Sequence, residues 1–575
     1  MKALFILPAF ILIVFAAVAQ KPNVNWGEEF KMRKGTTDLE VVHTDHDGVY
    51  LQEGHLALKS YFVIGATTRA SATLVKLDRS MAEIYRNDFN RELKGKNFIQ
   101  FYILQDRLYI FASEWIAREK TLSIYGAEID KRTGDMAGGW VPVTSFQKEE
   151  KRDEINYRLS YNADSSRMVV VSTMEGRDRN EYTIQEFDKA LKATTKPVKV
   201  TNEFDPKTFR LEDVLYLDNK KIILVGRVFE YQEGKKKKNK FLDFSHYNIR
   251  LYSERGRKEK EFNTSINGRW LISTKLVQEK GKDIVLAAFY SKTKKGKTID
   301  GLLVQRINSM TGDPISTSEK HIDHSLLTGL VEQGDDDDDD DDKESRAERK
   351  ERQKLDNIKD EGEAFSRYMR FRNIFHTPDN GLVVLAEEYH QFTYTRQSSS
   401  MGSDGRMGTT TTTTYTVYEC GDLFICRINA NTEIGWLQVV PKSQREVIQT
   451  GQSRGNAWVN YFEYNDNRPF YAGFGAMQTG NTVRVLFNDH PKNATVNQPG
   501  QKVKLARRFN KSDCFVLTVN LSNGHIDRKM LYTNTGIPTS MPRLGSVFAN
   551  DMYMVGKEDR LFGKSKIAVG RVTMN

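Results

Sequence analysis

An all-β fold, built from about eight four-stranded units closed into a ring, is what the sequence predicts. Three observations predict it. A strand–turn–strand pattern recurs along the chain, with its turn residue at Asp78, Asp130, Asp188, Ser253, Asn308, Asn429, Asn520 and Asn575. A second, almost continuously apolar run precedes each copy. The last copy stops at its turn, while Asn23–Met32 near the other end reads as the strand that copy lacks.

The turn series comes first, because a repeat period decides the whole architecture. Asp and Asn dominate it, since their side chains bond the local backbone and suit tight turns. The residue before the turn is apolar in every copy, from Leu77 to Met574, and the one before that is polar in all but Leu251. Such alternation marks a half-buried strand. Gly134, Gly312 and Gly524 each follow their Asp or Asn by four residues, where a hairpin needs positive φ.

The preceding strands are read at Tyr61–Gly65, Leu108–Ala112, Met168–Ser172, Ile222–Gly226, Ile284–Ala288, Leu382–Ala386, Val483–Phe487 and Met552–Gly556. Continuous apolar character implies cover on both faces. Upstream stretches such as Phe98–Leu104 and Phe209–Leu217 supply a first strand, and downstream ones such as Gly435–Val440 a fourth. The units therefore run A to D, innermost to outermost. Trp26 of the N-terminal strand matches Trp140 and Trp436 in other D regions. Completing the last unit with that strand would remove two open sheet edges.

Four-stranded units without helices between them resemble the β-propeller superfamily over essentially the whole mature chain. The resemblance is architectural: the repeat marks of the WD40 and kelch classes are absent, so no functional residue is carried over. It implies eight blades, or seven if the copy around Ser253 is irregular.

Residues 1–19 read as a signal peptide. Met1–Lys2 is basic, Ala3–Val18 is apolar, and Ala17-Val18-Ala19 is a cleavage site before Gln20. A retained anchor is the competing reading, opposed by Pro8 within the run. The expected product is one propeller domain, residues 20–575, secreted or periplasmic, with no membrane span in the mature chain. Three cysteines, Cys420, Cys426 and Cys514, are too few for a disulfide framework. A net charge of +10 over 575 residues is mild, and no recognition motif accompanies it, so nucleic acid is not an expected partner.

Four long insertions stand out: Tyr231–Phe244 with Lys235–Lys238, His321–Ser366 with Asp335–Asp342, Glu388–Gly421 with Thr409–Thr414, and Asn488–Ser512. All fall in B–C or D–A connections, which emerge on one face of a propeller. The expectation is a crowded binding face over blades four to seven, with Lys235, Lys238, Asp335, Asp342, Thr409 and Thr414 as its candidate residues. Residues 321–366 and 393–421 are expected to be low-complexity, disordered insertions. Eight consecutive Asp give charge without the spacing of a calcium loop, so no cofactor is expected, with calcium the alternative. Asn493-Ala494-Thr495 fits the N-glycosylation pattern.

No nucleophile elbow, phosphate loop, dinucleotide fingerprint or zinc motif occurs. Carboxylates such as Glu212, Asp213 and Glu463 could line a channel on strand A. The reading is a non-catalytic binding or scaffold propeller, with protein or glycan in the cell envelope as partner. A glycan-active propeller enzyme and a calcium-stabilised surface protein are the alternatives. Nothing in the sequence bears on oligomeric state.

Overall fold

A computed structural model describes residues 23–573, apart from 34–35, 62–64, 152, 177–179, 202–203, 206, 234–239, 264, 267–268, 280–282, 294–297, 323–330, 333–364, 367–368, 402–406, 455–456, 461–467, 537 and 559–564. Among the described residues, antiparallel sheets follow one another as eight blades. Blade 1 is Thr36–Asp45, Gly48–Tyr61, Gly65–Leu77 and Glu83–Asp88. Blade 2 is Asn97–Leu104, Arg107–Ile116, Thr121–Ile129 and Val141–Gln147. Blade 3 is Glu154–Tyr161, Arg167–Glu175, Asn180–Asp188 and Val198–Thr201. Blade 4 is Phe209–Tyr216, Ile222–Glu233, Lys240–Tyr252 and Lys258–Asn263. Blade 5 is Arg269–Gln278, Ile284–Ser291, Gly301–Ile307 and Pro314–His321.

Blade 6 takes Met369–His376, Leu382–Met401, Met407–Ile428 and Ile434–Val440. Blade 7 takes Gly475–Thr479, Thr482–Asp489, Asp513–Asn520 and Ile526–Thr533. Blade 8 draws strands A to C from Thr539–Phe548, Asp551–Glu558 and Lys566–Thr573. Its fourth strand is Asn23–Trp26, antiparallel to Lys566–Thr573 in the register Asn23↔Thr573 to Trp26↔Gly570. The irregular copy around Ser253 is a full blade, so the count is eight.

The apolar core reports the closure independently. Buried side chains group between every pair of neighbouring blades, from blades 1 and 2 around Leu74 and Phe101 through to blades 7 and 8 around Met477 and Met554. The group that shuts the ring joins Leu39, Val49 and Leu77 of blade 1 to Met541, Val555 and Val569 of blade 8. An open array would leave those two faces in water, at roughly 25 cal/mol for each Å² of apolar surface.

The turn series works as its chemistry requires. Asp78, Asp130, Asp188, Asn308 and Asn520 each accept a hydrogen bond from the amide two residues on, at 2.7–2.9 Å. Gly524 has φ +72°, and a Cβ there would lie 2.7 Å from the Trp436 ring of blade 6. Trp436 Nε1 also donates to Leu521 O at 3.1 Å, so one tryptophan fastens blade 6 to the turn of blade 7. Trp26 in strand D of blade 8 packs differently, and its Nε1 has no hydrogen-bond partner among the described residues. It lies over Gly556 and Gly570 and meets Tyr532 of blade 7 edge-on, at 5.9 Å.

Two expectations are corrected. Strand B of blade 1 is Gly48–Tyr61, and Tyr61 pairs with Gly65 at the far end of a long strand pair. Gln52, Glu53 and His55 interrupt the apolar run there, yet all three are buried. Gln52 donates to Asp38, Arg86 pairs with Glu53, and His55 meets Thr73, which is what lets polar side chains occupy the strand. The Ser/Gly/Thr-rich stretch is not an unpaired loop either. Residues 393–401 pair with 407–416, and residues 411–420 also pair with Gln444–Arg454. Threonine favours extended backbone, and a partner strand some thirty residues onward supplies the second ladder.

Candidate functional site

Strand A starts, and strand B ends, on the side of the ring where the B–C and D–A connections emerge. On that side the connections are tied to one another. Thr298–Ile299 of blade 5 pairs with Phe365–Ser366 from the following D–A connection. Val331–Glu332 of the same connection runs parallel to Val503–Lys504 in the blade 7 insertion. Gln444 forms a bridge to Ala506 of that insertion. Beneath them, Cys420, Ala472 and Phe509 are buried together, with Tyr389 and Tyr471 packed on them. The long blade 1 hairpin rises on this side too, so the elongated connections are not confined to blades four to seven.

The candidate residues read from the sequence are distributed unevenly over this face. Thr409 and Thr414 lie in strand C of blade 6, where Thr414 pairs with Thr395 and Gly451. Lys235, Lys238, Asp335 and Asp342 lie outside the described residues, as do Ala19, Gln20 and Glu463. Among the described residues, no group of three or more His, Cys, Asp or Glu could hold a metal ion. No helix among them is long and apolar enough to cross a membrane.

Asn493 is not presented as a glycan acceptor. Its side chain is 1% exposed, donates to Asp489 and Lys504 O, and accepts from Lys504 N. With Arg528, which pairs with Asp489 at 2.7 Å, it pins the blade 7 insertion. The three cysteines are free and buried, and burial pushes each thiol up to about 12. They act as small apolar side chains.

Where blades 6, 7 and 8 meet this face, a charged cluster sits that the sequence did not reveal. Glu387, directly after the apolar run of blade 6 strand B, is fully buried. Lys442 Nζ donates to its Oε1 at 2.8 Å and Arg372 Nε to its Oε2 at 3.0 Å. Lys442 also donates to Cys420 O and Gln444 Oε1. Burial works to raise the Glu387 pKa, but the Lys442, Arg372 and Arg543 charges outweigh it and hold the carboxyl below its ordinary range. Glu446 accepts from the amides of Phe470, Tyr471 and Ala472, and burial still raises its carboxyl.

Arg372 and Arg543 are strand A residues of blades 6 and 8. Arg372 is the extra residue of a β-bulge between Phe371 and Asn373, a feature that re-aims a side chain. Both guanidinium groups lie over the Tyr389 ring, at 4.4 and 5.7 Å. Burial first, and Arg372 second, lower the Arg543 pKa.

Glu212 belongs to the same rim in blade 4, also at a bulge. It pairs with Arg227 and accepts from Tyr247 Oη. Asp213 faces solvent and caps its neighbouring amide. The one hint in the sequence was a charge placed straight after a strand B run, as at Arg227 and Glu387.

No protein-family model and no curated protein matches this sequence. Among solved structures, the polysaccharide lyase Uly1 aligns at 8% identity and TM-score 0.36, over 96% of this chain and 92% of its own. The propeller domain of the Trilobed protease from Pyrococcus furiosus aligns at 9% and 0.30, over 90% and 98%. The GH93 α-L-arabinofuranosidase of Fusarium graminearum aligns at 11% and 0.30, over 63% and 92%. Likenesses this weak carry nothing about activity. Topology and closure define the chain as an eight-bladed β-propeller.

Proposed function

We propose that this propeller is a non-catalytic binding or scaffold protein working outside the cytoplasm, and that it engages a protein or glycan of the cell envelope through the inserted face. The observation that carries the reading is the mutual pairing of those connections. Insertions that merely accumulated would have no reason to be stitched across three blades. Loops held on a rigid scaffold are where recognition usually resides. The signal-peptide pattern of residues 1–19 supports the location.

Where blades 6, 7 and 8 meet, the carboxylates suit binding better than glycan hydrolysis. A glycosidase needs one carboxyl with a raised pKa facing its substrate and a second one opposite. Both oxygens of Glu387 are engaged by cations, and Glu446 is held by three amides and buried.

Site-specific photocrosslinking tests the face without deleting any structure. Benzoylphenylalanine replacing Ser398, exposed on the blade 6 hairpin, is expected to label a discrete partner in intact cells. The same group replacing Arg132, exposed on the C–D turn of blade 2 on the other side, is expected to label none. Equal labelling from both positions, or labelling from Arg132 alone, would sink the assignment.

A further inference from the structure

We infer that Arg372 and Arg543 form a binding site for an oxyanion the size of a carboxylate, sulfate or phosphate group, at the inserted end of the central channel. The inference deepens the binding reading by naming the chemistry its ligand presents, and it rests on that reading only for what carries the anion.

Donor and acceptor inventory comes first. Arg372 Nη2 and Arg543 Nη1 are shut off from solvent and have no hydrogen-bond partner. Glu387 is the carboxylate beside them, and its two oxygens already accept from Lys442 and Arg372 Nε. Leaving a buried donor unmet is costly, and more so when it is charged. Natural folds rarely leave two such donors side by side without a use.

Charge points the same way. Where blades 6, 7 and 8 meet, the cations Arg372, Lys442 and Arg543 stand against the carboxylates Glu387 and Glu446. Arg372 and Arg543 flank a single ring, Tyr389, so each feels the other in a poorly hydrated setting. An anion between them removes that repulsion and accepts from both. Arginine suits the task because its planar fork matches an oxyanion with two parallel N–H bonds.

Shape supplies the third observation. Gly473 approaches the Arg543 head group with φ +88°, and its amide donates to Gln444 Oε1. A Cβ at this position would lie 3.1 Å from Arg543 Cδ and 3.2 Å from Nη1. The glycine therefore lets the guanidinium pack against the backbone and holds the head group in place. Both arginines are only partly buried as whole side chains, so a small movement of either head group admits an anion to the shut-off donors.

The test uses the full-length protein and titrates sodium acetate, sulfate and phosphate against sodium chloride at matched ionic strength. Melting temperature and titration calorimetry are the readouts. The expected result is saturable stabilisation by at least one oxyanion and none by chloride. Loss of one fork is expected to weaken binding about tenfold in Arg543→Gln. Gly473→Ala is expected to weaken it as well, because it displaces the same head group. Should Arg543→Gln fail to fold, Arg543→Lys keeps the charge without the fork and is again expected to bind more weakly.

A best response to acetate points to a carboxylate-bearing ligand, and one to sulfate or phosphate points to an ester; either supports the site. An oxyanion response no larger than that of chloride overturns it, as does wild-type affinity in both Arg543→Gln and Gly473→Ala. Oxyanion binding combined with no labelling from position 398 would leave the site standing while the inserted-face reading falls.

Discussion

Replacing Lys442 with methionine is expected to destabilise the inserted face more than any surface change. Lys442 has no solvent exposure, and neither does Glu387. Removing one member of a buried ion pair costs up to about 3–5 kcal/mol, and here, among the described residues, Arg372 remains as the only bonded partner of Glu387. In a chain of this size that lowers the melting temperature by only about 3–4 °C, because the unfolding entropy is large. Local hydrogen exchange is the sharper readout. Amides of the Leu382–Met401 and Gln444–Arg454 strands are expected to lose protection, while those of blades 2 and 3 are unchanged. The double variant Lys442→Met/Glu387→Gln should recover part of the loss, since no buried carboxylate is then left without its partner.

The pH dependence of that variant has a defined sign. In the wild-type protein the folded-state pKa of Glu387 is depressed. Its stabilising contribution is therefore present above the unfolded carboxylate range, about 4.3, and lost as pH falls through the folded value. Without Lys442, burial dominates and the pKa rises. The variant then loses stability as pH climbs from acid toward neutral. The gap between variant and wild type should be widest near pH 7 and narrow near pH 4. A gap that stays constant with pH would mean that Lys442 acts by packing alone.

Trp26→Ala is the second large effect. The ring covers Gly556 and Gly570 of blade 8 and meets Tyr532 of blade 7. Full burial of a tryptophan is worth about 3–5 kcal/mol on truncation; this ring is partly exposed, so about 2–3 kcal/mol is expected. Losing it also loosens the strand that covers the edge of Lys566–Thr573. Hydrogen exchange in Lys566–Thr573 should quicken while blades 3 to 5 hold their protection. An effect spread evenly around the ring would argue against a local closure point.

Architecture was legible in this sequence because it is written locally and repeated. Five members of the turn series, Asp78, Asp130, Asp188, Asn308 and Asn520, make their bond two residues away, so a short window contains the signal. The closing strand was legible through Trp26, which sits in strand D as Trp436 does, although it packs on its own blade and not on the next blade's turn. Blade 1 was misread where Gln52, Glu53 and His55 sit buried in a strand. Their partners Asp38, Arg86 and Thr73 lie on neighbouring strands, which no window around residue 53 includes.

The charged rim was invisible for the same reason at larger scale. Arg372, Glu387, Lys442, Gly473 and Arg543 lie up to 171 positions apart, and each alone looks ordinary for a strand or a loop. The fold alone brings them together. Composition misled at residues 393–421, where a Ser/Gly/Thr-rich stretch expected to be disordered has a long strand with partners on both sides. Asn493 carried a modification motif, but its amide is committed to Asp489 and Lys504.

Ring closure by the N-terminal strand is the claim on which the blade count and the common binding face both depend, and a designed disulfide tests it most directly. Asn25 and Arg571 are paired across the Asn23–Trp26 and Lys566–Thr573 strands. The three native thiols are buried and will not compete. In Asn25→Cys/Arg571→Cys, mild oxidation is expected to give one intramolecular disulfide in nearly all molecules, with a raised melting temperature. Free thiols after oxidation, or bonds formed only between molecules, would contradict closure of the ring by its own first strand.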